Sequence, residues 1–268
     1  MIASTALRLT GADALSLLHR IGTNAVADLA PGRARATLFC DFRGRLLHRA
    51  LVGVAADRAV WLLRDEAPGA DLAAFLDRHV FRDDVRIEDR SGQLPVRWAP
   101  GDGSLAADSL AERDGVPVAL RVGDETLMAS EGPAAGELAR IRAARPAHGH
   151  EIAEAFTPYE VGLSHEVHLD KGCFTGQEAL MRLITYKSVK RRLVRVGGVG
   201  AVPPVPADLA TDGAPAGVLT SAAADGGRWL GLAVVRNEQN DSPRALAIAG
   251  GGAIEAIDPV AETRPLGR

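Results

Sequence analysis

The sequence predicts an α+β fold: a mixed strand-and-helix region over residues 1–188, then a small antiparallel β-barrel over residues 189–268. Three observations carry that expectation. Short strands alternate with short helices through the first two thirds, joined by hairpin turns and not by long crossovers, which is the α+β pattern. After Tyr186 the helical period disappears and short β-rich runs follow, separated by Gly, Pro and Asp turns; barrel closure spares such strands from open edges. The chain has 268 residues, 47% of them hydrophobic and 24% charged, enough for two domains or one elaborate one around a substantial core.

The elements follow in order. A short strand through Leu7–Leu9 gives way at Thr10-Gly11-Ala12-Asp13 to a helix whose Leu15, Leu18 and Ile21 share one face. Thr23-Asn24 and Pro31-Gly32 punctuate a loop. Residues 34–40 and 45–54 read as a hairpin turning through Asp41-Phe42-Arg43-Gly44, with a glycine for the left-handed position. Val60–Leu63 continues the sheet, and Leu72, Phe75, Leu76 and His79 form the inner stripe of a helix over about 69–79. Strands at 85–88 and 96–98 follow. Residues 100–115 read as a surface loop, 116–122 and 125–129 as strands, and 134–143 as a helix. The barrel strands are expected at 193–196, 216–221, 230–235, 245–248 and 253–257, with Pro203-Pro204-Val205-Pro206 as a stiff loop among them.

Composition excludes several classes. No apolar run approaches the ~18 residues of a membrane span, and the first 18 residues do not read as a secretory signal. Two cysteines, Cys40 and Cys173, make no disulfide framework, so a reducing cytoplasm is the expected setting. The net charge of −3 hides an asymmetry: residues 179–207 hold Arg182, Lys187, Lys190, Arg191, Arg192 and Arg195 with no acid, a local +6 against −9 elsewhere. Such a run suits an anionic ligand or RNA, or a solvated strand face. Only Tyr186 supplies an aromatic ring there, which places RNA last, since RNA binders stack bases on aromatics.

The chemistry concentrates at Lys171-Gly172-Cys173-Phe174-Thr175-Gly176-Gln177-Glu178. Thr175 and Glu178 have capping-box spacing ahead of a helix-forming run, so a helix is expected from about Gly176. Cys173 then precedes a helix N-terminus, with Lys171 nearby, conditions that lower a thiol pKa and raise its reactivity. A half-buried, inert cysteine is the plain alternative. His148, His150, His165 and His168 precede this octet, but their spacing with a single cysteine matches no zinc pattern, and no metal site is expected.

The octet resembles the K-G-C-[FY]-x-G-Q-E signature of the YgfZ family, folate-binding proteins related to the T-protein (aminomethyltransferase) of the glycine cleavage system. Phe174 stands where the family usually has Tyr. The opening also resembles that superfamily at "LTGADA", "CDFRGRLL" and "VFRDDVRIED", and Thr157-Pro158-Tyr159-Glu160-Val161-Gly162-Leu163 looks like its T-P-x-E-x-x-L element. The resemblance implies a T-protein-like folate-binding region ending in a barrel. It further implies tetrahydrofolate or a derivative as cofactor, and Glu160 as the carboxylate that meets the pterin; Arg182 is taken as a second cofactor-binding residue. It implies Cys173 as a reactive thiol, and a role in assembly or repair of iron–sulfur clusters, and through cluster enzymes in tRNA modification. Expected partners are iron–sulfur assembly or client proteins, in the cytoplasm or, in a eukaryote, the mitochondrial matrix. Glycine-cleavage T-proteins carry a catalytic aspartate where this chain has His48 and Arg49, and an arginine cannot act as that carboxylate. That argues against aminomethyl transfer, which stays as the competing reading.

Overall fold

The structure, a computed structural model, describes residues 5–64, 67–93, 96–100, 118–122, 125–129, 136–238, 246–249, 253–260 and 263–267. The chain divides into two compact units, each gathered from separate stretches: Met1–Pro133, His165–Ala179 and Pro265–Arg268 in the first, Ala134–Ser164 and Leu180–Arg264 in the second.

The first unit is built on β1 (Thr5–Thr10), β2 (Ala34–Cys40), β3 (Leu46–Val54), β4 (Val60–Arg64) and β5 (Arg86–Asp89), an antiparallel sheet in the order β2-β3-β4-β1-β5. Strand alternation sends Leu7, Leu9, Val52, Val60 and Leu62 to one face. There α1 (Ala14–Ile21) and α2 (Gly69–Asp77) cover them with Leu17, Leu18, Ile21, Leu72, Phe75 and Leu76. The interleaved Ala6, Leu51, Trp61 and Leu63 form a second buried cluster, so the sheet is apolar on both faces.

The free edge of β2 is occupied by the chain just after α1. The Thr23 amide donates to the Leu38 carbonyl at 2.9 Å, the Leu38 amide to Thr23 Oγ1 at 3.2 Å, and Asn24 Nδ2 to the Ala36 carbonyl at 2.9 Å. Thr23 and Asn24, expected as loop residues, thus satisfy backbone groups that an edge strand leaves exposed. The strands β6 (Val96–Pro100), β7 (Val118–Val122) and β8 (Glu125–Ala129) form a separate antiparallel sheet. The rest of the loop expected at 100–115 lies outside the described residues.

In the second unit β9 (Arg191–Val199), β10 (Ala207–Thr211), β11 (Ala214–Asp225), β12 (Arg228–Arg236), β13 (Ala247–Ile248) and β14 (Ala256–Pro259) make an antiparallel sheet in the order β13-β10-β11-β12-β9-β14. The named strands run in open order, which is antiparallel as expected from the sequence but stops short of the closed barrel expected there. Among the described residues β13 and β14 are the ends of this order; a single antiparallel bridge joins Ala247 to Ala253, and the Ile254 amide donates to the Leu246 carbonyl at 3.1 Å. The sequence reading also missed β10, because it directly follows the proline run.

The helix α3 (Glu137–Arg142) is tied to β11 by a buried polar network. Glu151, with no exposed surface, accepts from Arg140 Nη1 at 3.1 Å and Ser221 Oγ at 2.7 Å, and Arg140 Nη2 donates to Ser221 Oγ at 2.6 Å. The fourth helix, α4 (Gln177–Thr185), starts one residue after the expected position. No helix among the described residues is long and apolar enough to cross a membrane.

Candidate functional site

The octet runs through a loop with Cys173 exposed and on into the start of α4, and the loop is fixed at both ends. Cys173 is exposed, while Cys40 is buried in the first unit, where burial pushes its thiol pKa up. Ahead of the loop, Lys171 folds back onto α1: its Nζ donates to the His19 carbonyl, and its own carbonyl lies 3.0 Å from His19 Nε2. A helix leaves its last carbonyls without intrahelical partners and favours a cation there, so the last turn of α1 is a natural seat for an ammonium. Phe174 is buried below it, with Lys171 Nζ 5.0 Å from its ring centroid. Burial lowers the Lys171 ammonium to about 8.

Behind the loop, Gly176 has φ +84°, and a Cβ there would lie 2.5 Å from the Asp41 carbonyl oxygen and 3.2 Å from Gly44 Cα. Only glycine permits both the left-handed backbone and this approach to the β2–β3 turn. Gln177 Nε2 donates to the Leu169 carbonyl at 2.9 Å, closing the loop from the other side. Thr175 is half-buried, Glu178 exposed, and Gly172 takes φ +110° with open space around it.

In β3 stand His48 and Arg49, the pair that the resemblance set against a carboxylate. His48 is held neutral: burial, then the nearby Arg64 guanidinium, lower its pKa to about 4. Its Nδ1 lies 3.1 Å from Arg64 Nη1, so the imidazole accepts, and its ring meets Phe75 edge-on. Arg49 is locked in a two-pronged pair with Glu166, a carboxylate that is almost wholly buried, and His165 Nε2 stands 3.6 Å from the same carboxylate. His48, Arg49 and Glu166 all belong to the first unit.

The other named residues lie in the second unit. Glu160 is buried and engaged. Its Oε2 accepts from the Thr157 amide at 2.9 Å and Thr157 Oγ1 at 3.2 Å, and its Oε1 accepts from Arg191 Nε at 2.8 Å. Tyr159 and Gly162, on either side of it, line a cleft of about 130 Å³ together with Ser164, Arg192, Val260 and Thr263; Glu160 is not among the lining residues. Arg182 is exposed on α4. Of the basic run, Arg191 pairs with Glu160 and Arg195 with Asp258, while Arg192 faces the cleft. His150 Nδ1 donates to the Thr220 carbonyl at 2.7 Å, and no cluster with metal-ligand composition occurs among the described residues.

The glycine cleavage system aminomethyltransferase T of Bartonella henselae superposes with a TM-score of 0.74, covering 98% of this chain and 85% of that one at 16% identity. The fold is that of an aminomethyltransferase. The "Putative transferase At1g60990, chloroplastic" of Arabidopsis thaliana is 26% identical over 87% of this chain and 63% of its own length. The aminomethyltransferase of Bacillus cytotoxicus is 24% identical over 65% of this chain and 60% of its own, and that of Acidobacterium capsulatum 36% over a 75-residue segment. This chain thus spans less than two thirds of the length of these relatives, and no family model matches it. On the aminomethyltransferase fold, His19, Arg64 and Glu166 are the residues that the sequence reading did not reach. Each meets the site through a partner more than a dozen positions away, Lys171 for His19, His48 for Arg64 and Arg49 for Glu166, although Arg64 also pairs with Asp71 close by in sequence.

Proposed function

We propose that this chain is a folate-binding protein of aminomethyltransferase fold that serves the assembly or repair of iron–sulfur clusters, with Cys173 as its working thiol. The observation that carries this reading is the contrast between two places in the first unit. Cys173 is exposed on a loop pinned at both ends, whereas the β3 position that the sequence resemblance set against an acid holds Arg49, already neutralised by Glu166. A guanidinium has no basic site for a substrate proton, and a carboxylate engaged on both oxygens is not poised to take one.

Support for the folate comes from the fold, the names of the relatives and the donor set of the second unit. The Tyr159 ring, the Arg192 guanidinium and the hydroxyls of Ser164 and Thr263 suit an aromatic, anionic ligand. A cleft of about 130 Å³ is below the several hundred Å³ of a complete small-molecule site, so it takes one end of an extended ligand. Glu160 serves that ligand by holding Arg191 and the Thr157 turn in place. When bound, the folate supplies a one-carbon unit or a reduced pterin; the chain's residues bind and orient it.

Two measurements test the proposal. Titration calorimetry with tetrahydrofolate should give saturable heat that Glu160→Ala and Arg192→Ala each diminish; no heat at high micromolar ligand removes the folate. Aconitase activity in cells lacking the gene should return with the wild-type chain and not with Cys173→Ala. Unchanged aconitase in the deletion strain, with aminomethyl exchange activity in the purified protein, would establish the competing transferase reading that the relatives' names favour.

A further inference from the structure

We infer that His19 is the positioning residue of the Cys173 loop, acting on it through the carbonyl and side chain of Lys171; the inference rests on the reading of Cys173 as the working thiol. The tautomer follows from what surrounds the ring. His19 Nδ1 lies 3.2 Å from the Val26 amide and 3.3 Å from the Ala27 amide, both donors, so Nδ1 accepts and the proton sits on Nε2. Nε2–H then donates to the Lys171 carbonyl at 3.0 Å. Lys171 answers with its ammonium on the His19 carbonyl, so two residues 152 positions apart hold each other by main chain and side chain at once.

The clasp ends where Gly172 and Cys173 begin. Cys173 hangs between this post and the Gly176 contact with the β2–β3 turn, so its direction is set by His19 at one end and by the glycine at the other. His19 itself is fixed by α1 and by the Val26 and Ala27 amides, neither of which belongs to the octet. A side chain outside the motif therefore decides how the motif presents its thiol.

Two substitutions separate the halves of this ring. Glutamine puts an amide nitrogen near the Nε2 position and keeps the bond to Lys171; asparagine puts an amide oxygen near Nδ1 and keeps only the Val26 and Ala27 bonds. Losing one such hydrogen bond corresponds to roughly fivefold in a local opening equilibrium. His19→Asn should therefore speed amide exchange over residues 172–175 by about that factor, with a parallel change in the rate of Cys173 alkylation by iodoacetamide, while His19→Gln stays near wild type. Equal behaviour of the two variants, or wild-type exchange in both, overturns the assignment. Nitrogen-15 spectra of the unmutated protein give an independent reading: an Nε2–H tautomer is expected for His19, and an Nδ1–H tautomer overturns the proposal. None of these readouts requires an activity of the protein itself, so an aconitase result that removes the cluster function leaves them to be judged separately.

Discussion

Arg49 and Glu166, 117 residues apart in sequence, face each other with Arg49 Nε at 2.9 Å from both carboxylate oxygens and Nη2 at 2.6 Å from one of them. The Glu166 side chain is 4% exposed and that of Arg49 24%, so the acid is the partner that depends on the pair. Arg49 is thus a structural cation that lets a carboxylate stay buried.

That dependence predicts an asymmetric outcome of mutation. Arg49→Ala leaves a buried carboxylate uncompensated and should cost about 3 kcal/mol of stability. Arg49→Met combined with Glu166→Leu removes both charges and should come within about 1 kcal/mol of the wild type. Urea unfolding of the single and double variants measures both; equal losses in the two would show that packing, not charge, holds this site.

The ends of the cysteine loop predict a second difference. Gly176→Ala must fit a side chain into a left-handed backbone with its Cβ against the Asp41 carbonyl, and should cost about 2–3 kcal/mol. Gly172→Ala meets the conformational cost alone, because nothing lies near its Cβ, and should cost about 1 kcal/mol. Thermal unfolding of the two variants checks the order.

The two thiols should separate completely under native conditions. Cys173 is exposed and Cys40 is buried, with its thiol pKa raised by that burial. Iodoacetamide at pH 7.5 is expected to modify Cys173 alone, about one label per chain, with Cys40 reacting only after denaturation. Peptide mass mapping reads the result directly, and native labelling of Cys40 would contradict its place in the core.

His48 makes stability depend on pH in a defined direction. Its folded-state pKa is about 4, below the usual 6.5, so between these values the unfolded chain binds a proton that the folded chain refuses. Stability is therefore fully present above about pH 6.5 and declines as the pH falls toward 4. His19, lowered chiefly by burial, adds in the same direction. His48→Asn offers Arg64 an acceptor that does not titrate, and its melting temperature should fall less steeply over that interval.

Much of this protein is determined by local sequence. The β2–β3 hairpin is written in Asp41-Phe42-Arg43-Gly44 flanked by apolar alternation, and the structure places the strands at Ala34–Cys40 and Leu46–Val54 with Gly44 at φ +74°. The helix α4 was legible from a capping pattern ahead of helix-forming residues. These signals survive because propensity, turn chemistry and hydrophobic period all act within a few residues.

Tertiary structure decided what depends on residues distant in the chain. How the C-terminal strands meet was one such matter, since the ends of that sheet are joined by the bridge of Ala247 to Ala253 and not by any local turn signal. The partners of the charged groups were another: Arg49 meets Glu166, Glu160 meets Arg191, and Lys171 meets His19, and in each case the energy lies in a contact that no spacing rule encodes. Sequence named the thiol, and the fold supplied the post from which it hangs, because a backbone turn is a local property and the direction of a loop is set by whatever holds its two ends.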